Sequence, residues 1–105
     1  MTKPLKLAPW VVSEDLQSIY DYHRPLSLEK AERIVAEFDR IIDVLELNPL
    51  IFHPRKNAWR IYPFDSGPYL LYYTELDSFW LVTGVFHASR DPNWIQEQLL
   101  KRGDE

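Results

Sequence analysis

Few residues in this chain are of a type that could move a proton or grip an anion. The densest group of them is the string His87-Ala88-Ser89-Arg90-Asp91-Pro92. It follows an apolar run, Phe79 to Phe86, in which Leu81, Val82, Val85 and Phe86 surround Thr83 and a lone glycine, Gly84. Neither parity of that run is consistently polar, which is the pattern of a central strand buried on both faces. The polar string therefore stands at the strand's C-terminal end, where side chains leave the core. An imidazole held there titrates near neutral pH and suits proton transfer, although the same residues also read as a capped turn before a helix. Arg90 and Arg60 would converge near His87 if the strand carrying Trp59–Tyr62 lies beside the one carrying Val82–Phe86. A guanidinium so placed grips a phosphate or a carboxylate through two parallel hydrogen bonds. The structural alternative pairs Arg90 with Asp91 or with an acid of a helix.

A second polar group is electrostatic. No acid occurs between Glu46 and Asp65, while His53, Arg55, Lys56 and Arg60 fall inside that window. The window is either an ordinary solvated loop or a local basic face on an otherwise acidic body, suited to one anionic patch. Other chemistry is missing from the pattern. There is no Gly-rich phosphate loop and no nucleophile elbow. His23, His53 and His87 lack ligand spacing, so neither a metal nor a cofactor is expected. Glu29, Glu32, Glu37, Asp39 and Asp43 fall between apolar positions and read as a solvated helix face.

These groups need elements to hold them. Lys3–Leu7 alternates as a short strand, stopped by Pro9. Val12, Leu16, Ile19 and Tyr20, continued by His23, have the spacing of an amphipathic helix that ends by Arg24, before Pro25. Ser27 is a good N-cap for a second helix, in which Leu28, Ala31, Ile34, Val35, Phe38, Ile41, Ile42 and Leu45 keep a three-four spacing. Asn48-Pro49 ends it, Asn48 serving as a left-handed cap. Asn57–Phe64, Pro68–Thr74 and Phe79–Phe86 are strand-like, and hairpin-length connections make them an antiparallel meander. Pro63 marks the first of these as an edge strand or as irregular late in its course. Asp91-Pro92 opens a last short helix, Asn93 to Lys101, with Trp94, Ile95, Leu99 and Leu100 on one side, and Arg102–Glu105 reads as a frayed tail.

Helices grouped before strands give an α+β domain: two N-terminal antiparallel helices packed on one face of a curved, mainly antiparallel sheet, with a short C-terminal helix. At 105 residues, 46% hydrophobic and 14% aromatic, residues 1–105 form one globular domain. The absence of cysteine excludes a disulfide framework and a cysteine nucleophile. A net charge of −4 argues against broad attraction to nucleic acid. No apolar stretch is long enough for a membrane span or signal segment, so the expected location is cytoplasmic.

The order strand, helix, long helix, three strands resembles the RelE/ParE superfamily of type II toxin–antitoxin toxins, the plasmid stabilisation proteins. The resemblance runs through Glu14-Asp15-Leu16 to Asp21-Tyr22, Ala31 to Leu45 with Asn48-Pro49, Tyr69-Leu70-Leu71-Tyr72-Tyr73, and Val85 to Pro92. The last string is similar to the His-x-x-Arg-Asp ending of the ParE-like branch. The resemblance implies a growth-inhibiting toxin neutralised by a cognate antitoxin that wraps an extended, often helical segment over the helix pair and sheet. It further implies a non-enzymatic action on DNA gyrase. The alternatives it carries are a ribosome-dependent endoribonuclease of messenger RNA, with His87, Arg90 and Arg60 as candidate catalytic residues, and a non-toxic antitoxin-binding member. Leu70 and Gly84 stand where ribonuclease members often place basic residues, and Ala88 where some have an aromatic one, which disfavours the nuclease. Arg55, Lys56, Trp59, Arg60, Tyr62 and Trp94 are the expected anchors for a protein partner.

Overall fold

The computed structural model describes residues 3–55 and 59–103. Strand β1 (Leu5–Leu7) leads into a π-helical segment (Val11–Leu16) that continues as helix α1 (Gln17–His23). Helix α2 (Leu28–Leu47) follows, then β2 (Arg60–Pro63), β3 (Tyr69–Glu75), β4 (Trp80–His87) and helix α3 (Pro92–Gly103). The four strands form one sheet in the order β1-β4-β3-β2, with β1 parallel to β4 and the other pairs antiparallel. The expected α+β architecture, helix pair and meander are all present. Pro63 ends the edge strand β2, where its missing N–H interrupts no ladder. Asn57, the expected start of that strand, lies outside the described residues.

The three-four stripe of α2 buries Ala31, Ile34, Phe38, Ile41 and Leu45. They pack with Val11, Leu16 and Ile19 against Leu71, Tyr73, Val82 and Val85 on one face of the sheet. Ser27 caps α2 by accepting the Lys30 N–H at 3.2 Å. The other face carries Tyr72 and Phe86, and α3 covers it with Ile95 and Leu99. That second cover explains why β4 is apolar on both parities.

Several local expectations are corrected. The first helix begins with one wide turn: the Gln17 N–H is shared between the carbonyls of Val12 and Glu14. Val11 and Leu16, five residues apart, are the buried pair, and Val12 is 48% exposed. Asn48 has φ −149° and is not left-handed, so the helix stop belongs to Pro49. Glu37, expected on the solvated face, is 3% exposed. Its carboxylate accepts the main-chain N–H groups of Asp65 and Ser66 at 2.6 and 2.7 Å, as well as the Ser66 hydroxyl, and so pins the β2–β3 turn to α2. Burial alone would raise its pKa, but these hydrogen bonds and nearby Arg40 hold it below the usual value. Arg102, expected in a frayed tail, belongs to α3 and is fixed by an ion pair with Asp15.

Candidate functional site

The site is created by a mismatch in strand length. β1 has three residues and pairs only with Trp80–Val82; the Ala8 N–H bond to the Val82 carbonyl closes that ladder at 3.0 Å. Residues 83–87 of β4 then continue without a strand on that side. A bulge opens here, because Tyr73 faces Val82 and Tyr72 faces Gly84, leaving Thr83 without an opposite residue. Side chains take the place of the absent strand. The Trp10 indole donates to the Thr83 carbonyl at 2.6 Å and Arg102 Nη1 does so at 3.1 Å. Asp15 Oδ2 accepts the Val85 N–H at 3.1 Å.

Asp15 and Arg102 are also joined by two bonds of 2.8 Å, with side chains only 10% and 19% exposed. The guanidinium lies over the Phe86 ring, 5.0 Å from its centroid. Gly84 makes this possible, since a Cβ there would stand 2.6 Å from Arg102 Nη1 and 2.7 Å from Phe86 Cε2. The glycine at the position where a basic side chain was considered is thus the seat of an arginine from another element.

Beyond this pair lies a cleft of about 570 Å³. One wall is α1, through Ser18, Tyr22 and His23; the other is α3, through Trp94 and Gln98; Val85, Phe86 and His87 of β4 form the floor. Lys30, Arg90 and Pro68 complete the lining. The structure therefore brings His87 and Arg90 into one cleft. The Ser89 N–H donates to His87 Nδ1 at 3.0 Å, so in the neutral ring the proton sits on Nε2. His87 stands edge-on to Tyr69 with centroids 5.4 Å apart, and the Tyr69 hydroxyl lies 2.7 Å from His23 Nε2. Burial lowers the His23 pKa, and the charges of Lys30 and His87 push the same way; burial raises that of Tyr69. Arg90 lies 4.9 Å from the Trp94 ring centroid.

Arg60 does not join them. It faces Tyr73 while His87 faces Tyr69, four residues along β3 and about 13 Å away. Its guanidinium donates to the Phe52 carbonyl and lies 5.2 Å from the Trp80 ring centroid, a structural role. Tyr62 packs edge-on against Phe52. Arg55 and Trp59 line a smaller groove of about 220 Å³ with Asn93 and Gln96 of α3. Lys56 lies outside the described residues. Of the five expected anchors among the described residues only Trp94 borders the large cleft; His23, Tyr69, Lys30, Asp15 and Arg102, which also line it, were not singled out from sequence as site residues. Gly84, the one glycine inside a strand, was the available signal for the Arg102 seat.

Comparison with known proteins gives the family. A model described as the ParE toxin of type II toxin–antitoxin system, parDE, matches residues 11–92. This chain belongs to the ParE toxin family. It is thus the toxin component of a type II toxin–antitoxin module. A comparison with curated protein sequences gives no match. A solved structure of the chromosomal ParDE toxin–antitoxin system from P. aeruginosa aligns with a TM-score of 0.72 at 17% identity, over 84% of this chain and 98% of that one. At that identity the likeness concerns the fold. The matched span of the ParE model contains β4, the α1 wall and His87 to Pro92. Among the described residues no helix is long and apolar enough to cross a membrane, and no three metal-ligating side chains form a group.

Proposed function

We propose that this ParE-family chain acts by binding and not by catalysis: a cognate antitoxin neutralises it, and in the free state it engages DNA gyrase in the cytoplasm. The separation of Arg60 from His87 carries this reading. Cutting RNA requires a base for the 2′-hydroxyl and concentrated positive charge on the phosphorane. Here one of the three candidate groups is spent on Phe52 and Trp80, and Arg102 is neutralised by Asp15. What remains is a cleft with an aromatic rim and an unfinished strand edge, features of a protein-binding surface.

One observation favours the nuclease alternative, the presence of His87, Arg90 and Lys30 in a single cleft. Induction of the chain in cells, alone and with the neighbouring reading frame, separates the readings. The proposal expects growth arrest with a DNA-damage response and intact messenger RNA, relieved by the neighbour. Codon-linked cuts in translated messenger refute it in favour of the nuclease. Complex formation without any growth defect refutes the toxic action.

A further inference from the structure

The turn between α1 and α2 is anchored by one side chain. From Asp21 to Glu29 every residue is exposed except His23, which is 7% exposed. The exposed ones include Tyr22, Leu26 and Leu28, so the large apolar side chains of the turn do not fasten it. His23 fastens it twice. Its carbonyl accepts the N–H groups of Leu26 and Ser27 at 3.0 and 2.7 Å, which shapes the turn. Its ring nitrogen Nε2 lies 2.7 Å from the Tyr69 hydroxyl, which ties the turn to β3.

An apolar anchor in that place would hold at any pH, whereas an imidazole changes charge in the physiological range. A neutral ring can accept the Tyr69 O–H through Nε2; a charged ring can only donate. The surroundings of His23 disfavour that charge. Burial opposes it, and Lys30 of α2 and His87 of β4 act the same way, so the pKa is lowered. Tyr69 stands edge-on to both imidazoles, with centroids 5.9 Å from His23 and 5.4 Å from His87. Lys30 and Arg90 line the same cleft, and neither has an ion-pair partner among the described residues. On α1 itself the Tyr22 ring packs edge-on at 4.9 Å, and Asp21 accepts from Gln17 at 2.9 Å. Asp15, bound by Arg102, lies about 12 Å back along the helix, and Glu14 is one residue further. No carboxylate thus offsets a proton on His23.

We infer that His23 is an acid-sensitive latch: its protonation frees the α1–α2 turn from Tyr69 and widens the cleft, of which Tyr22, His23 and Lys30 form one end. The closed latch holds a neutral ring, so opening takes up a proton. Acid therefore favours the open form, progressively below about pH 6.5. Ile19 before the turn, and Ala31 and Ile34 after it, stay buried in the core and confine the movement to the turn. The width of the cleft then depends on acidity whichever partner enters it.

The test is an NMR titration of the full chain from about pH 7.5 to about pH 4.5. The His23 ring is expected to gain its charge within this range, and the cross-peaks between the His23 and Tyr69 rings to vanish with the same midpoint. Protection of the Leu26 and Ser27 amides against exchange should fall about tenfold or more, while that of Leu71 in β3 stays within about twofold. His23→Gln keeps a neutral hydrogen-bonding group towards Tyr69 and should hold the turn at both ends of the range. Lys30→Gln removes one opposing charge and should raise the midpoint. A His23 ring that charges while its cross-peaks to Tyr69 and the protection of the turn persist overturns the inference, because the hydroxyl has merely reversed its hydrogen bond. A ring that stays neutral throughout overturns it too. So does a loss of protection at Leu71 together with the turn, which is global unfolding, or a His23→Gln turn that opens with acid as the wild type does.

Discussion

Replacing Asp15 by Asn removes the charge that holds three parts of the molecule together. In the wild type its carboxylate takes two bonds from Arg102 and one from the Val85 N–H, at 10% side-chain exposure. The variant leaves the Arg102 guanidinium, 19% exposed, with the Thr83 carbonyl as its remaining polar partner. Breaking a fully buried ion pair from one side costs about 3–5 kcal/mol. Residual solvent at Arg102 screens part of that, and the Asn carbonyl can still accept from Val85, so we expect about 2–3 kcal/mol. For a domain of this size that lowers the melting temperature by about 10–15 °C. Urea denaturation measures the loss, and a double-mutant cycle with Arg102→Gln isolates the pair, with an expected coupling of about 1–2 kcal/mol. Asp15→Asn unfolding within about 0.5 kcal/mol of wild type, with zero coupling, would refute the view that this pair fastens α3 across the bulge.

Gly84→Ala places a Cβ against Arg102 Nη1 and the Phe86 ring, and should cost about 1–3 kcal/mol in the same denaturation assay. Glu37→Gln should cost a similar amount at neutral pH, because two main-chain N–H groups lose a charged acceptor. Since the folded pKa of Glu37 is depressed, its contribution is present above the unfolded value of about 4.3 and disappears as pH falls through the folded value. Stability measured from pH 7 to pH 3 should therefore fall more steeply for wild type than for Glu37→Gln, and parallel curves would contradict this. His23 has the same sign for a different reason: its folded pKa is lowered, so the unfolded chain binds the proton first and stability declines as pH drops below about 6.5. His23→Phe should remove that part of the decline, and an NMR titration showing the imidazole charging at or above its ordinary value would contradict it.

The frame was legible because its signals are periodic and local. An uninterrupted three-four spacing defines α2, and hairpin-length connections fix the meander. What escaped depends on partners remote in sequence. Glu37 follows Ile34 by three positions and precedes Ile41 by four, so it sits on the core face; nothing nearby in sequence announces the turn at Asp65-Ser66 that satisfies it. Asp15 and Arg102 are separated by 87 positions. Arg60 was placed near His87 on the condition that the strands carrying them lie side by side; β3 lies between β2 and β4, and the register moves Arg60 a further four residues along it. The first helix was assigned a uniform turn, whereas the five-residue step from Val11 to Leu16 is the period of a π turn. The length mismatch between β1 and β4, which opens the cleft, requires knowing that those two strands pair at all.

The most direct test of action by binding is a supercoiling assay with purified gyrase and the purified chain, run beside a translation reaction carrying labelled messenger RNA. The account predicts that supercoiling is inhibited, that the neighbouring frame's product restores it, and that the messenger stays whole. Unimpaired supercoiling together with messenger cleavage that His87→Ala abolishes would contradict it.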